Sequence, residues 1–106
     1  MKNNTQNELL DLLKQIIEID TCYPPGSSKV FGKFVTSYLK NSGLRIKSYG
    51  VDKEKINICV SNYKGSKKSI VFNSHIDTVR PITSEWKTNP FDLKIEKNYS
   101  YGLGAV

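Results

Sequence analysis

The chain has 106 residues, 38% of them apolar, 25% charged and 10% aromatic; this suffices for one domain with one modest core and is unlike the weakly hydrophobic, highly charged mixtures that stay disordered. Its net charge of +6 is evenly spread: residues 1–50 carry 7 basic and 4 acidic side chains and residues 51–106 carry 9 and 6, so no basic stripe is available to track a phosphate backbone and no nucleic-acid partner is expected. No apolar run approaches the roughly 18 residues of a membrane span, the Asn-rich start has no signal-peptide apolar region, and Cys22 and Cys59 form neither a disulfide framework nor a zinc cluster, which predicts a cytoplasmic chain with reduced thiols and no membrane partner.

Leu9, Leu10, Leu12, Leu13, Ile16, Ile17 and Ile19 recur at helical spacing between charged and amide side chains, predicting an amphipathic helix. Tyr23, Pro24, Pro25 and Gly26 stop it, because proline lacks a donor and disfavours helical geometry in the residue before it. A second helix is predicted with Ser27 or Ser28 as N-cap, an apolar face of Val30, Phe31, Phe34, Val35, Tyr38 and Leu39, and a close at Asn41, Ser42 and Gly43. From Leu44 to Tyr49 the period becomes two, a half-exposed strand, and a further strand is predicted from Ile56 to Tyr63. After a turn at 64–68 around Gly65, the run Ser69, Ile70, Val71, Phe72 reads as a short strand of a sheet interior. A loop from Pro81 to Pro90 holds Trp86, and a last hairpin is predicted from Phe91 to Tyr101 around Lys97 and Asn98. The order describes a single α/β unit, two N-terminal helices followed by strands of a mixed sheet.

His75, the only histidine, follows the most apolar strand, with Asp77 two residues on. Residues i and i+2 of an extended segment project to one side, so an imidazole and a carboxylate are expected to emerge together at a strand's carboxyl end, where α/β sheets place ligand sites. A metal-ligating histidine generally donates its second ring N–H to a carboxylate or carbonyl, the part open to Asp77. A hydrogen-bonded pair with no ligand accounts for the same two residues, since a metal site needs three or four ligands.

The segment from Ile70 to Val79 resembles the first metal-binding segment of the zinc-dependent deacylase and exopeptidase family that includes acetylornithine deacetylase, succinyl-diaminopimelate desuccinylase and aminoacylase. Trp86, Pro90 with Phe91, the turn at Lys97 and Asn98, and Tyr101, Gly102, Leu103, Gly104 follow in the family's order, and upstream Asp20, Thr21, Pro24, Pro25 and Gly26 resemble its first loop. The resemblance implies the N-terminal part of a zinc-exopeptidase-like catalytic domain. Within it, His75 is implied as a ligand of one zinc of a two-metal centre, with cobalt or manganese as alternative metals, and Asp77 as the carboxylate that orients the ring. The implied chemistry is hydrolysis of an N-acyl amino acid or peptide amide bond, and the implied assembly a homodimer whose contacts lie in a lid or dimerisation domain absent here. Gly102 and Gly104 are expected to let the backbone pass close to the metal segment, and Trp86 and Phe91 to pack above it.

Arg80 stands where family members usually have proline, Leu103 leans toward the acetylornithine deacetylase branch, and Asn98, Tyr99 and Ser100 replace the turn glycine, with Asn98 suited to left-handed geometry. The family continues into an Asp-Met-Lys whose Asp bridges both metals, and Val106 is the last residue before it. The expectation is therefore an incomplete catalytic domain over residues 1–106, lacking most metal ligands and the catalytic Glu, and inactive as it stands. The alternative is a non-catalytic small protein or disrupted-gene remnant that binds a protein partner through its sheet edge.

Overall fold

A computed structural model describes residues 2–65 and 68–105. Helix α1 runs Lys2–Ile17, then come β1 (Cys22–Tyr23), α2 (Lys29–Tyr38), β2 (Arg45–Asp52), β3 (Lys55–Ser61), β4 (Thr78–Val79), a 3-10 turn (Thr83–Glu85), β5 (Lys94–Glu96) and β6 (Tyr99–Tyr101). The architecture is mixed α/β, as predicted. The strands, however, do not join one sheet: among the described residues they form three two-stranded pairs, β1 with β4 in parallel, and β2 with β3 and β5 with β6 antiparallel.

The first helix begins well before Leu9, because a nucleated helix extends through polar residues at little cost. The second forms where predicted and half-buries Phe31, Phe34, Val35 and Leu39 of its predicted face, while Val30 and Tyr38 stay exposed; it stops where Leu39 N–H bonds to the Val35 carbonyl, with Gly43 at φ +74° turning the chain into β2. Of the two candidate serines, Ser27 reaches the helix, accepting from the Lys29 N–H at 3.4 Å, and Ser28 makes no cap bond. Ser28 takes the N-cap position, but its hydroxyl donates to the Ile56 carbonyl at 2.8 Å and accepts from the Ile56 N–H at 2.6 Å, so it joins helix to strand. The Lys53–Glu54 corner is drawn in too: Glu54 pairs with Lys29 at 2.6 Å and accepts from Ser27 at 3.0 Å, and the Lys29 and Ser27 bonds hold its carboxyl below the usual carboxylate range.

The β2–β3 register places Ile46 opposite Val60 and Ser48 opposite Ile58, on the side that meets α2. Gly32 makes that meeting possible. A Cβ there would lie 2.5 Å from Ile56 Cδ1 and 3.3 Å from Ile58 Cδ1, so the buried glycine admits both isoleucines against the helix backbone.

The largest departure from expectation is the run Ser69–Phe72. It forms no strand, and Ile70, Val71 and Phe72 are 85%, 81% and 95% exposed. An interior strand needs a neighbour on each edge and a layer on each face, and the described residues supply neither. The buried apolar core is correspondingly small, Ile17, Cys22 and Leu93. The radius of gyration is 15.9 Å, against about 13 Å for a compact domain of this length. The accessible surface of 9185 Å² exceeds by roughly 3000 Å² what a compact monomer of this mass shows. Among the described residues no helix is long and apolar enough to cross a membrane.

The last hairpin is shorter than predicted, since Asn89 to Asp92 form a turn in which the Asn89 side chain accepts from Phe91 N–H at 3.0 Å. Its two-residue loop puts Lys97, not Asn98, at positive φ, 54°. Part of the predicted 64–68 turn, Ser66 and Lys67, lies outside the described residues; Gly65 enters it at φ +86°.

Candidate functional site

His75 stands in an irregular run between the uncovered apolar residues and β4, not at the end of a strand as predicted. Its Nδ1 lies 3.0 Å from the Asp77 carbonyl oxygen and 3.1 Å from Asp77 Oδ1. Both partners are acceptors, so the contact selects the tautomer with the proton on Nδ1, which leaves the lone pair on Nε2. The imidazole and carboxylate side chains are 83% and 65% exposed. An exposed imidazole with a defined tautomer and an available Nε2 has the chemistry of a metal ligand. Two donors are not a cage, and among the described residues no group of three or more His, Cys, Asp or Glu side chains converges to hold a metal ion. The residues present therefore do not by themselves fit the implied zinc centre.

The run is held in place by the loop after α1. Thr21, buried, donates from Oγ1 to the Ile76 carbonyl at 2.7 Å, and the β1–β4 ladder pairs Cys22 with Thr78 and Tyr23 with Val79. Beneath the ladder Cys22 Sγ sits 3.3 Å from Thr78 Oγ1. Burial pushes the Cys22 thiol up, which keeps it neutral and unsuited to nucleophilic work. Arg80 closes the arrangement, donating to the Pro24 carbonyl at 2.7 Å and lying 3.7 Å from Asp20 Oδ2. Asp20 accepts from Cys22 N–H at 2.9 Å; bonds from the Cys22 backbone and thiol, with Arg80 adding a smaller pull, hold its carboxyl below the ordinary range. Sequence reasoning registered Arg80 only as a departure from a pattern. Its partner Pro24 is 56 residues away, and no local signal could have joined them.

Grooves flank the run on two sides. One, of about 750 Å³, lies between α1 at Leu13, Ile16 and Ile17 and the segment from Ser74 to Val79, with Phe91 and Leu103 in its wall. The other, of about 810 Å³, separates the start of β3 from Asn73 to Asp77. Phe91 thus lines the same groove as His75, whereas Trp86 lines neither groove. The glycines divide their work: a Cβ on Gly104 (φ +75°) would stand 3.0 Å from Thr78, beside the His75 run as expected, while one on Gly102 would stand 2.7 Å from Ile17, so Gly102 serves the approach of α1 instead.

With this geometry in place, comparison with known proteins adds a chemical class. The chain is 25% identical over 109 residues to the N-formyl-4-amino-5-aminomethyl-2-methylpyrimidine deformylase of Halalkalibacterium halodurans, a match covering 98% of this chain and 26% of that protein. It is 29% identical over 105 residues to the acetylornithine deacetylase of Buchnera aphidicola subsp. Acyrthosiphon pisum, covering 92% of this chain and 27% of that one. No family model and no solved structure matches. The relatives are of deacylase and deformylase type, and the chain spans about a quarter of their length.

Proposed function

We propose that this chain carries the His75 corner of a metal-dependent, deacylase-type amidohydrolase that removes a small acyl group from the nitrogen of a small-molecule amine. The observation that carries the reading is the His75–Asp77 geometry, in which an Nδ1 proton held by Asp77 leaves Nε2 to act as a ligand. Similarity to a deacetylase and a deformylase along nearly the whole chain supports the substrate class, since both names describe loss of a one- or two-carbon acyl group. In this reading His75 is one ligand of the two-metal centre, zinc or another divalent ion, and Asp77 sets its tautomer and basicity. Among the described residues no group of three ligands converges on His75, so residues 2–105 alone are expected to be inactive.

A chimera tests this directly: residues 2–105 replace the matched portion of the Buchnera acetylornithine deacetylase. Deacetylation of N-acetylornithine is expected, reduced at least about 100-fold by His75→Ala and about 10- to 100-fold by Asp77→Asn, the usual range for a ligand-supporting carboxylate. A folded chimera without turnover, or one indifferent to His75→Ala, overturns the reading. The isolated chain with added zinc or cobalt should show no turnover above its His75→Ala control.

A further inference from the structure

We propose that Thr21 is a positioning residue for the candidate site: its hydroxyl holds the peptide between His75 and Asp77 in the orientation that lays both Asp77 acceptors on His75 Nδ1. Two residues apart, an imidazole and a carboxylate touch in many backbone conformations, and spacing alone does not choose among them. Packing does not choose either, because the His75 and Asp77 side chains are 83% and 65% exposed. Ile76, between them, is half-buried, and its carbonyl accepts from Thr21 Oγ1 at 2.7 Å. A peptide unit is planar, so fixing that carbonyl also fixes the Asp77 nitrogen and Cα. From that Cα extend the carbonyl oxygen and Oδ1, 3.0 and 3.1 Å from Nδ1.

The donor stands on the firmer side of the bond. Thr21 is itself buried between the core residues Ile17 and Cys22, and its loop is tied by the 2.9 Å bond from Cys22 N–H to Asp20 Oδ1. A buried hydroxyl needs a partner, and this one directs its proton to a carbonyl 55 residues away. A side chain locked by packing is what holds an exposed functional group to one geometry. Arg80 fastens the same loop, but at Pro24 and Asp20 and from a position beyond the 76–77 peptide. Loss of the Arg80 contacts therefore loosens the loop, whereas loss of the Thr21 hydroxyl frees the partner of the ring. The consequence for catalysis rests on the deacylase reading, in which Asp77 sets the tautomer of a metal-ligating His75.

His75 is the only histidine, so nitrogen-15 shifts of the 106-residue chain, recorded at a pH where the ring is neutral, report its tautomer directly. Thr21→Val, close to threonine in shape, should lower the ratio of Nδ1–H to Nε2–H at least about threefold, the scale of one hydrogen bond's net worth. Thr21→Ser should keep the ratio, and Arg80→Gln should lower stability in urea while leaving the tautomer alone. In the chimera Thr21→Val should also lower kcat about tenfold, the low end for a group that orients a metal ligand. A ratio unmoved by Thr21→Val, lost equally in Thr21→Ser or moved as far by Arg80→Gln, or an active chimera whose kcat ignores Thr21→Val, overturns the proposal. If Thr21→Val does not fold, the unsubstituted chain decides: a Thr21 hydroxyl proton protected from exchange supports the bond to Ile76, and one that exchanges as a free hydroxyl overturns it. The two readings fail separately. A chimera without turnover removes the deacylase reading and leaves the tautomer shift standing, whereas turnover with a tautomer indifferent to Thr21 does the reverse.

Discussion

Two apolar runs in this chain meet opposite fates. In β3, Ile56 and Ile58 find a helix with a glycine at the crossing, a serine hydroxyl bridging to the Ile56 backbone, and a paired strand in β2. The run Ile70, Val71, Phe72 is the more hydrophobic of the two and finds none of these. Hydrophobicity drives burial only where a covering surface exists, and the free energy comes from area removed from water, not from the composition of the strand. The contrast separates what stabilises the described fold from what the described residues leave uncovered.

Substitutions should reproduce that division. Ile17→Ala removes a core side chain packed against Gly102 and should cost about 2 to 5 kcal/mol in urea unfolding, the largest effect expected. Phe72→Ser, although it deletes a larger side chain, should stay within about 0.5 kcal/mol. A large loss from Phe72→Ser would show that the run is buried in solution and would dissolve the comparison.

Ser28→Ala strips the Ile56 N–H and carbonyl of their bridge and should cost about 1 to 2 kcal/mol. Amide hydrogen exchange sharpens this one, because protection should fall first at Ile56 and the start of α2. The smallest effect belongs to Asp20. Its carboxyl titrates lower folded than unfolded, so its contribution is complete above the ordinary value of about 3.9 and is lost as pH falls through the depressed folded value. With the side chain about half exposed, that contribution is under about 1 kcal/mol. Asp20→Asn should flatten the acid limb of the stability profile below about pH 4 and leave neutral pH nearly unchanged; an unaltered acid limb would remove the Asp20–Cys22 bond from the description.

Much of this was legible in residue order. Both helices, the two strands β2 and β3 and the final hairpin follow from period and breaker residues, because those signals act over a few positions, whereas the pairing of β2 with β3 was not read from them. The spacing of His75 and Asp77 foretold their meeting for the same reason, as two residues in one run need no tertiary help to touch. Spacing could not show which serine oxygen caps and which bridges, since Ser28 is engaged by a strand 28 residues away. Nor could it show that Gly102 belongs to Ile17, or that Arg80 fastens the Pro24 loop to the His75 run.

The sequence by itself determined the local elements, the even charge and the His75–Asp77 pair, all set by interactions within a few residues. Only the tertiary structure decided which apolar residues are covered. Burial is a property of pairs of surfaces: the signal that reads Ile70 to Phe72 as an interior strand is correct about their preference and silent about whether a neighbour is there to meet it.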